Sequence, residues 1–380
     1  MSFKNTIFSQ FMQQVNRYEF ENQVSKYNGD KGTSIYSCFS LMVIMLFAQI
    51  KSKSNLRELE SGMNAISSQF YHLNIKNVKR SSLSDALKSR PQEVFEDYYY
   101  SLYEKLNRKQ KRLYERDLKI LDSTTISLCL SLYNWAKFRS SKGGIKIHTM
   151  IDYNNNAPEK IIVDTADEHD VKKGKYFIPE SGNTIVFDRG YNDFKLWRLI
   201  SENNAYFVTR IKKNATFRVI YQRDVEEGSG VLSDNIIEIT GLKAKEYSDK
   251  LRLIRFCDKD CKKVFEFVTN DFSSLASEIA DIYKKRWQVE LFFKWIKQHL
   301  KIKKFYSTDK NGVMIQIWTA LITYLLLCLL KDEILIKITL IDLFRKVCDY
   351  LDKREDLYDV ISEKLPDKNC KKSQLELKLW

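Results

Sequence analysis

Residues 281–305 read DIYKKRWQVELFFKWIKQHLKIKKF, and their spacing sets how the rest of the chain is read. Tyr283, Arg286, Glu290 and Lys297 follow one another at intervals of 3, 4 and 7 residues. At roughly 100° per residue they fall near 0°, −60°, −20° and −40° around one helix axis, with Lys294 at about +20°. One face therefore carries a lone carboxylate among Arg, Lys and a tyrosine hydroxyl. Val289, Leu291, Phe292 and Trp295 set an apolar face beside it, so the polar stripe reads as the edge of a packed helix. Between Tyr283 and Lys304 there are eight Lys or Arg and one acid, a net +7 on 22 residues. Such a stripe suits a metal ligand beside a phosphate-binding track. The plainer alternative is a solvated basic helix in which Glu290 pairs with Arg286 and Lys294.

Two further acids bear on that choice. KILDSTT places Asp122 at the end of an apolar strand, and TIVFDRGY places Asp188 at the end of another. An Asp ending a strand is ordinarily a turn or cap residue. Two of them on strands that could be neighbours in one sheet, with a third acid on a basic helix, form a more specific pattern. Three clustered carboxylates repel one another unless divalent cations hold them. Oxygen ligands with spare positions suit Mg²⁺ or Mn²⁺, and a pair of ions about 4 Å apart serves phosphodiester chemistry.

Asp122 in DSTT, Asp188 in DRGY and Y-x2-R-x3-E-x6-K on Tyr283, Arg286, Glu290 and Lys297 resemble the DDE transposases of the insertion-sequence IS-four group. The resemblance runs from about Leu118 to Lys304. It implies an α/β fold: a ribonuclease-H-like catalytic core interrupted by a β-rich insertion, with helical N-terminal and C-terminal regions. It implies two Mg²⁺ ions, replaceable by Mn²⁺, on Asp122, Asp188 and Glu290. Water would nick the element's end, and the freed 3′-OH would attack the opposite strand and later the target. Tyr283, Arg286 and Lys297 would hold phosphates, with Trp287 and Lys294 beside them on the helix. The partners implied are double-stranded DNA (terminal inverted repeats and target) and a second copy in a synaptic homodimer. Relatives stack a flipped base on a Trp of the insertion. No Trp lies between 198 and 286 here, which leaves Phe265, Phe267 or Tyr247, or Trp287 nearby on the helix, to serve.

The rest of the chain is organised around this centre. Residues 1–115 read as helices and as a DNA-end-binding domain. Ile35–Ile50 is a strong apolar helix, Ser54 opens a second, Ser81 or Ser82 caps a third, and Pro91 starts a fourth. The third carries Lys79, Arg80, Ser82, Ser84, Lys88 and Arg90, a candidate surface for recognising DNA ends or an ordinary solvated one. A basic linker follows at 107–119. Residues 116–210 read as the first part of the core: strands at 118–125, 145–153, 160–165 and 184–188, a helix at 192–202, and a strand at 205–211. Residues 211–272 read as the insertion, with strands at 217–223, 231–240, 251–257 and 263–269. Residues 273–310 carry the Glu-bearing helix, and 311–380 form a helical region for dimerisation or core packing. His148 and His169 approach the site in sequence terms and are read as structural.

Composition agrees with a folded partner of a polyanion. The 380 residues are 44% hydrophobic and 13% aromatic with only 4 Pro and 12 Gly, which excludes a disordered chain. Lys plus Arg is 63 against 49 acids, a net +14, which points to nucleic acid or an anionic membrane. Residues 313–330 are apolar for about the 18 positions at which a spanning helix becomes a candidate. Both this run and 35–50 are read as buried core helices, with Gln316, Thr319, Thr323 and Tyr324 forming a less buried stripe. Seven scattered cysteines and an N-terminus without a signal-peptide pattern point to a reducing compartment, cytoplasmic and nucleoid-associated. A related nuclease, an inactive DNA-binding derivative and a basic membrane-associated protein are the alternatives.

Overall fold

The computed structural model describes residues 5–362 except 34, 70–72, 74, 76, 110–116, 140–141, 168, 242–243, 259–261 and 335. The basic linker at 107–119 and the last part of the C-terminal region fall largely outside them. Described residues within Met1–Lys109, Ser131–Trp135 and Lys294–Lys371 form a helical unit, and those within Gln110–Leu130 and Ala136–Phe293 form a sheet unit. The N-terminal and C-terminal helices, expected as separate regions, therefore belong to one unit.

Its centre is the helix Lys310–Glu333, which packs against Cys38–Ile50 and Gln92–Lys109. Lys310–Glu333 is long and apolar enough to cross a membrane, yet 94% of its apolar window is buried within the protein. The stripe expected to be less buried is instead enclosed, because its polar groups find partners inside. Gln316 accepts from the Tyr306 N–H at 2.9 Å and donates to the Lys304 carbonyl at 2.8 Å, and the Thr319 hydroxyl donates to the Ile315 carbonyl at 2.8 Å. Cys38–Ile50 starts at Ser37, whose hydroxyl accepts from the Ser40 N–H at 3.1 Å.

Two expected helix starts are displaced. Asn55, not Ser54, caps Leu56–Asn64 by accepting from the Glu58 N–H at 2.9 Å, while the Ser54 N–H donates to the Glu58 carboxylate. Arg80–Ser89 begins before Ser81, after Lys79, with no side-chain cap; Glu60 accepts the Arg80 N–H at 3.1 Å instead.

The sheet unit is mixed α/β. Its strands are β1 (Leu118–Leu128), β2 (Lys137–Arg139), β3 (Lys142–Asp152), β4 (Ala157–Thr165), β5 (Thr184–Phe187), β6 (Tyr206–Arg210), β7 (Phe217–Arg223), β8 (Val231–Ile239), β9 (Leu251–Cys257) and β10 (Val264–Thr269). They pair in the order β2-β3-β1-β5-β6-β10-β9-β8-β7, with β4 on β3. β1, β3 and β4 form an antiparallel meander, whereas β5 runs parallel to β1 and β6 parallel to β5. The parallel pairing is short: Leu118–Leu121 lies against Thr184–Phe187 and stops there. All eight of those residues except Lys119 and Thr184 are apolar and all are buried, as parallel strands covered on both faces require.

The helix Phe194–Glu202 links β5 to β6 and packs Leu196, Trp197 and Ile200 onto Phe187 and Phe207. Trp197 stacks on Phe207 with ring centroids 5.1 Å apart. The strands read as an insertion are not a separate layer. β10 pairs antiparallel with β6 and so extends the same sheet.

This extension also anchors the helix that follows. Arg252 on β9 is 1% exposed and donates twice to Asp234 on β8, at 2.8 and 2.6 Å, and once to the Ser274 carbonyl at 2.6 Å. Burial pushes the Asp271 carboxyl up, but hydrogen bonds from the hydroxyls and N–H groups of Ser273 and Ser274 outweigh it and hold it at about 2. Residues 271–274 are thereby fixed, and the helix Ala276–Lys285 leaves from a defined point.

Candidate active site

Asp122 and Asp188 stand one residue beyond the last parallel pair, Leu121 with Phe187. Asp122 does not end its strand. It lies in the middle of β1, opposite Thr149 of β3, at the point where β1 parts from β5. Asp188 does end β5 and opens a single helical turn, Arg189–Tyr191, by accepting from the Gly190 N–H at 2.8 Å. A Cβ at Gly190 would lie 2.9 Å from that carboxylate oxygen, so a larger residue there would make the Asp188 side chain shift. Asn192 fastens the turn to β6, donating to the Arg210 carbonyl at 2.6 Å and accepting from Thr209 at 2.8 Å.

Glu290 reaches the same place from the C-terminal side. The single helix expected over 283–297 is interrupted: Ala276–Lys285 ends at Arg286, and Trp287–His299 begins again immediately. The Arg286 N–H bonds to the Tyr283 carbonyl and the Val289 N–H to the Arg286 carbonyl, both three-residue turns tighter than an α-helix. That tightening brings Arg286 between two acids. Its Nη1 donates to Asp122 Oδ2 at 2.9 Å and its Nη2 to Glu290 Oε1 at 2.7 Å. The guanidinium lies 5.8 Å from the Tyr283 ring centre, and that ring packs on Phe267 at 4.8 Å.

Burial pushes the Asp122 carboxyl up to about 7; Arg286 and the Ser123 N–H oppose this, and Asp188 and Glu290 add to it. Asp122 thus senses both other acids. Among the described residues, no three His, Cys, Asp or Glu side chains are gathered closely enough to hold an ion as they stand. Arg286 takes the position where Asp122 and Glu290 converge. The carboxylates of Asp122, Asp188 and Glu290 would offer an ion anionic oxygen donors alone, which fits a hard divalent cation.

The other predicted residues divide between the units. Trp287 is half-buried at the start of the Glu290 helix. Lys294 and Lys297 are half-buried and belong to the helical unit, and burial lowers the Lys297 ammonium's pKa. Leu291, expected on the apolar face, is 49% exposed, while Val289, Phe292 and Trp295 are buried. Lys79, Arg80 and Lys88 are exposed on the helical unit and Ser84 is half-buried. Arg90 is already committed inside that unit, donating to the Tyr36 carbonyl at 2.9 Å. Phe265, Phe267 and Tyr247 are buried in the sheet unit and present no face to a flipped base. Among the described residues, the exposed aromatics of 211–272 are instead Phe217 and Tyr221 on β7 and Phe272.

Sequence reasoning passed over Ser123, Asp170 and Tyr191. Asp170 had no signal beyond its place in ADEHD, and Tyr191 had only its place in DRGY.

Acids placed where parallel strands part, two of them joined by Arg286, fit a metal-using phosphoryl-transfer enzyme. The transposase DDE domain family matches residues 114–326 of the chain, and a domain family of unknown function (DUF4372) matches residues 3–76. A putative transposase, y4zB, of Sinorhizobium fredii is 36% identical over 64% of this chain and 69% of its own length. A putative transposase for insertion sequence element IS4SA of Synechocystis is 33% identical over 72% of this chain and 78% of its own. A solved piggyBac transposase synaptic complex with hairpin DNA covers 94% of this chain and 83% of its own at 10% identity; its TM-score of 0.45 is too low to bear on the argument. The chain belongs to the DDE transposase family, the metal-dependent enzymes of mobile elements that cleave DNA and transfer its strands.

Proposed function

We propose that this enzyme excises and inserts an insertion sequence of the IS-four type, using Asp122, Asp188 and Glu290 as the ligands of two Mg²⁺ ions. The observation that carries the reading is the register: Asp122 and Asp188 follow the last paired residues of β1 and β5, and Arg286 ties Asp122 to Glu290. The strand order β4-β3-β1-β5-β6, antiparallel then parallel, supports a ribonuclease-H-like core, with 211–272 as an insertion that extends its sheet. When bound, the ions would activate the attacking oxygen and stabilise the leaving one.

This chain's own residues supply the rest. The Gly190 N–H orients Asp188, the Ser123 N–H and Arg286 orient Asp122, and Arg286 also orients Glu290. Each Nη of Arg286 gives one hydrogen bond to a carboxylate, which leaves its other N–H groups for a DNA phosphate. Lys294 and Lys297 lie further along the same helix as phosphate contacts, and Lys79, Arg80, Ser84 and Lys88 are assigned to the inverted repeats. Residues 1–115 would bind the ends and the C-terminal helices would pair two copies at the nucleoid. The test is a plasmid carrying the element's terminal repeats, incubated with purified protein. Mg²⁺ or Mn²⁺ should release the element and chelator should prevent it; release in chelator would overturn the metal assignment.

A pH dependence follows from Asp122. Its carboxyl, raised to about 7, is protonated below that pH in metal-free protein. An ion must displace that proton, so Mn²⁺ affinity should rise about tenfold per pH unit below 7 and flatten above it. Because folding raises this pKa, the metal-free chain should also lose stability as pH rises from the ordinary carboxylate range through 7. Calorimetric Mn²⁺ titrations between pH 5.5 and 8.5 check the first trend and thermal melts the second.

A further inference from the structure

β1 and β5 stop pairing at Leu121 and Phe187, so no backbone ladder bond between these strands fixes the separation of Asp122 and Asp188. A side-chain network bridges that gap. Ser123, next to Asp122, donates its hydroxyl to Asp170 Oδ1 at 2.7 Å. Lys146 on β3 lies 3.2 Å from the same oxygen, and His148 Nδ1 lies 3.5 Å from it. His148 Nδ1 is also 2.9 Å from the hydroxyl of Tyr191, three residues after Asp188. A Cβ at Gly190 would stand 3.4 Å from Asp170 Oδ2, so the other face of this carboxylate lies against the Asp188 turn.

We propose that Asp170 is a positioning residue that sets the spacing of Asp122 and Asp188, acting through Ser123 on one side and through His148, Tyr191 and Gly190 on the other. The inference rests on the assignment of those two aspartates as metal ligands. Several features separate it from ordinary packing. Asp170 comes from neither catalytic strand but from the five-residue helix Asp170–Gly174. Ser123, Tyr191 and Gly190 lie one to three residues from the catalytic aspartates, and Lys146 and His148 belong to β3, the strand paired with β1. Lys146 balances its charge, so it adds rigidity without adding a fourth net negative charge to the acids. His148 is fully buried and burial keeps its imidazole neutral, so it spaces the network without adding a positive charge beside the acids. Groups that orient metal ligands from outside the coordination shell change metal affinity by about 10–100-fold when removed.

The experiment is calorimetric titration of Mn²⁺ into the full chain without DNA, beside thermal melting of the metal-free protein. Asp122→Ala is the control for the site itself, and Asp170→Ala and Ser123→Ala test the network. Asp122→Ala should lose the Mn²⁺ site. Asp170→Ala should weaken Mn²⁺ binding by about 10–100-fold. Ser123→Ala, a smaller change that leaves the helix untouched, should weaken it in the same direction with an unaltered melting profile. The double variant should bind no more weakly than Asp170→Ala alone, since both act through one contact. Wild-type Mn²⁺ affinity in Asp170→Ala or Ser123→Ala, with the site lost in Asp122→Ala, overturns the positioning role alone. Wild-type affinity in Asp122→Ala overturns the site on which the proposal stands.

Discussion

Glu290→Gln should lower divalent-dependent DNA strand cleavage by roughly a thousandfold or more, equivalent to about 4 kcal/mol of transition-state stabilisation. Gln keeps the side chain's length and an oxygen that accepts from Arg286, so the clamp geometry survives while the anionic ligand is lost. Glu290 is 35% exposed on its helix, and little of the fold depends on its charge. DNA binding should therefore stay within about twofold of wild type, because phosphate contacts depend on the surrounding Lys and Arg. End-labelled duplexes carrying the terminal repeat, resolved on denaturing gels, measure cleavage; gel shifts in chelator measure binding. A variant that cleaves at more than a tenth of the wild-type rate would remove Glu290 from the metal site.

Strand positions were legible because the sheet's residues are β-branched and aromatic between clear turn signals. Phe217–Arg223 and Leu251–Cys257 occur at the expected positions, and Val231–Ile239 differs by one residue. What a linear pattern does not carry is pairing. β10 closes onto β6, so a segment that reads as an insertion becomes the continuation of the core sheet. Asp122 looked terminal because the apolar run stops there, yet β1 continues with polar residues as far as Leu128. Its position is decided by where β5 ends, not by where β1 does.

The helical stripe around Glu290 was read as one straight helix, since spacing alone cannot reveal a tightened turn. The break falls at Arg286, the residue whose guanidinium bonds to Asp122. Asp170 lay out of reach for a different reason: its partners are 47 residues upstream and around 20 downstream, and no local pattern marks it.

The charge of the chain acquires a location from the same facts. Of the net +14, a net +7 falls on the 22 residues from Tyr283 to Lys304, which include Glu290. On the proposed assignment a divalent ion would hold Asp122 and Glu290; in the metal-free protein Arg286 holds them instead.

That substitution of roles makes Arg286→Ala the second large effect. The Arg286 and Asp122 side chains are each 16% exposed, and removing one partner of a buried charged pair costs about 3–5 kcal/mol. In metal-free protein at pH 8, where Asp122 is ionised, the variant should lose stability on that scale. At pH 5.5 the Asp122 carboxyl can take a proton instead, and the loss should be smaller. Saturating Mn²⁺, which stabilises a protein by about 4 kcal/mol at a thousand times its own dissociation constant, should then stabilise the variant more than the wild type at pH 8. In wild type the ion gains less, because it must first separate a guanidinium from Asp122 Oδ2 and Glu290 Oε1. Melting curves at both pH values, with chelator or Mn²⁺, measure all four corners of this comparison. Equal Mn²⁺ stabilisation of variant and wild type would mean that ion and guanidinium do not compete for those two oxygens. Greater stabilisation of the variant would mean that they do, and a DNA phosphate that draws Arg286 away must then favour metal binding to the same degree that metal favours the phosphate.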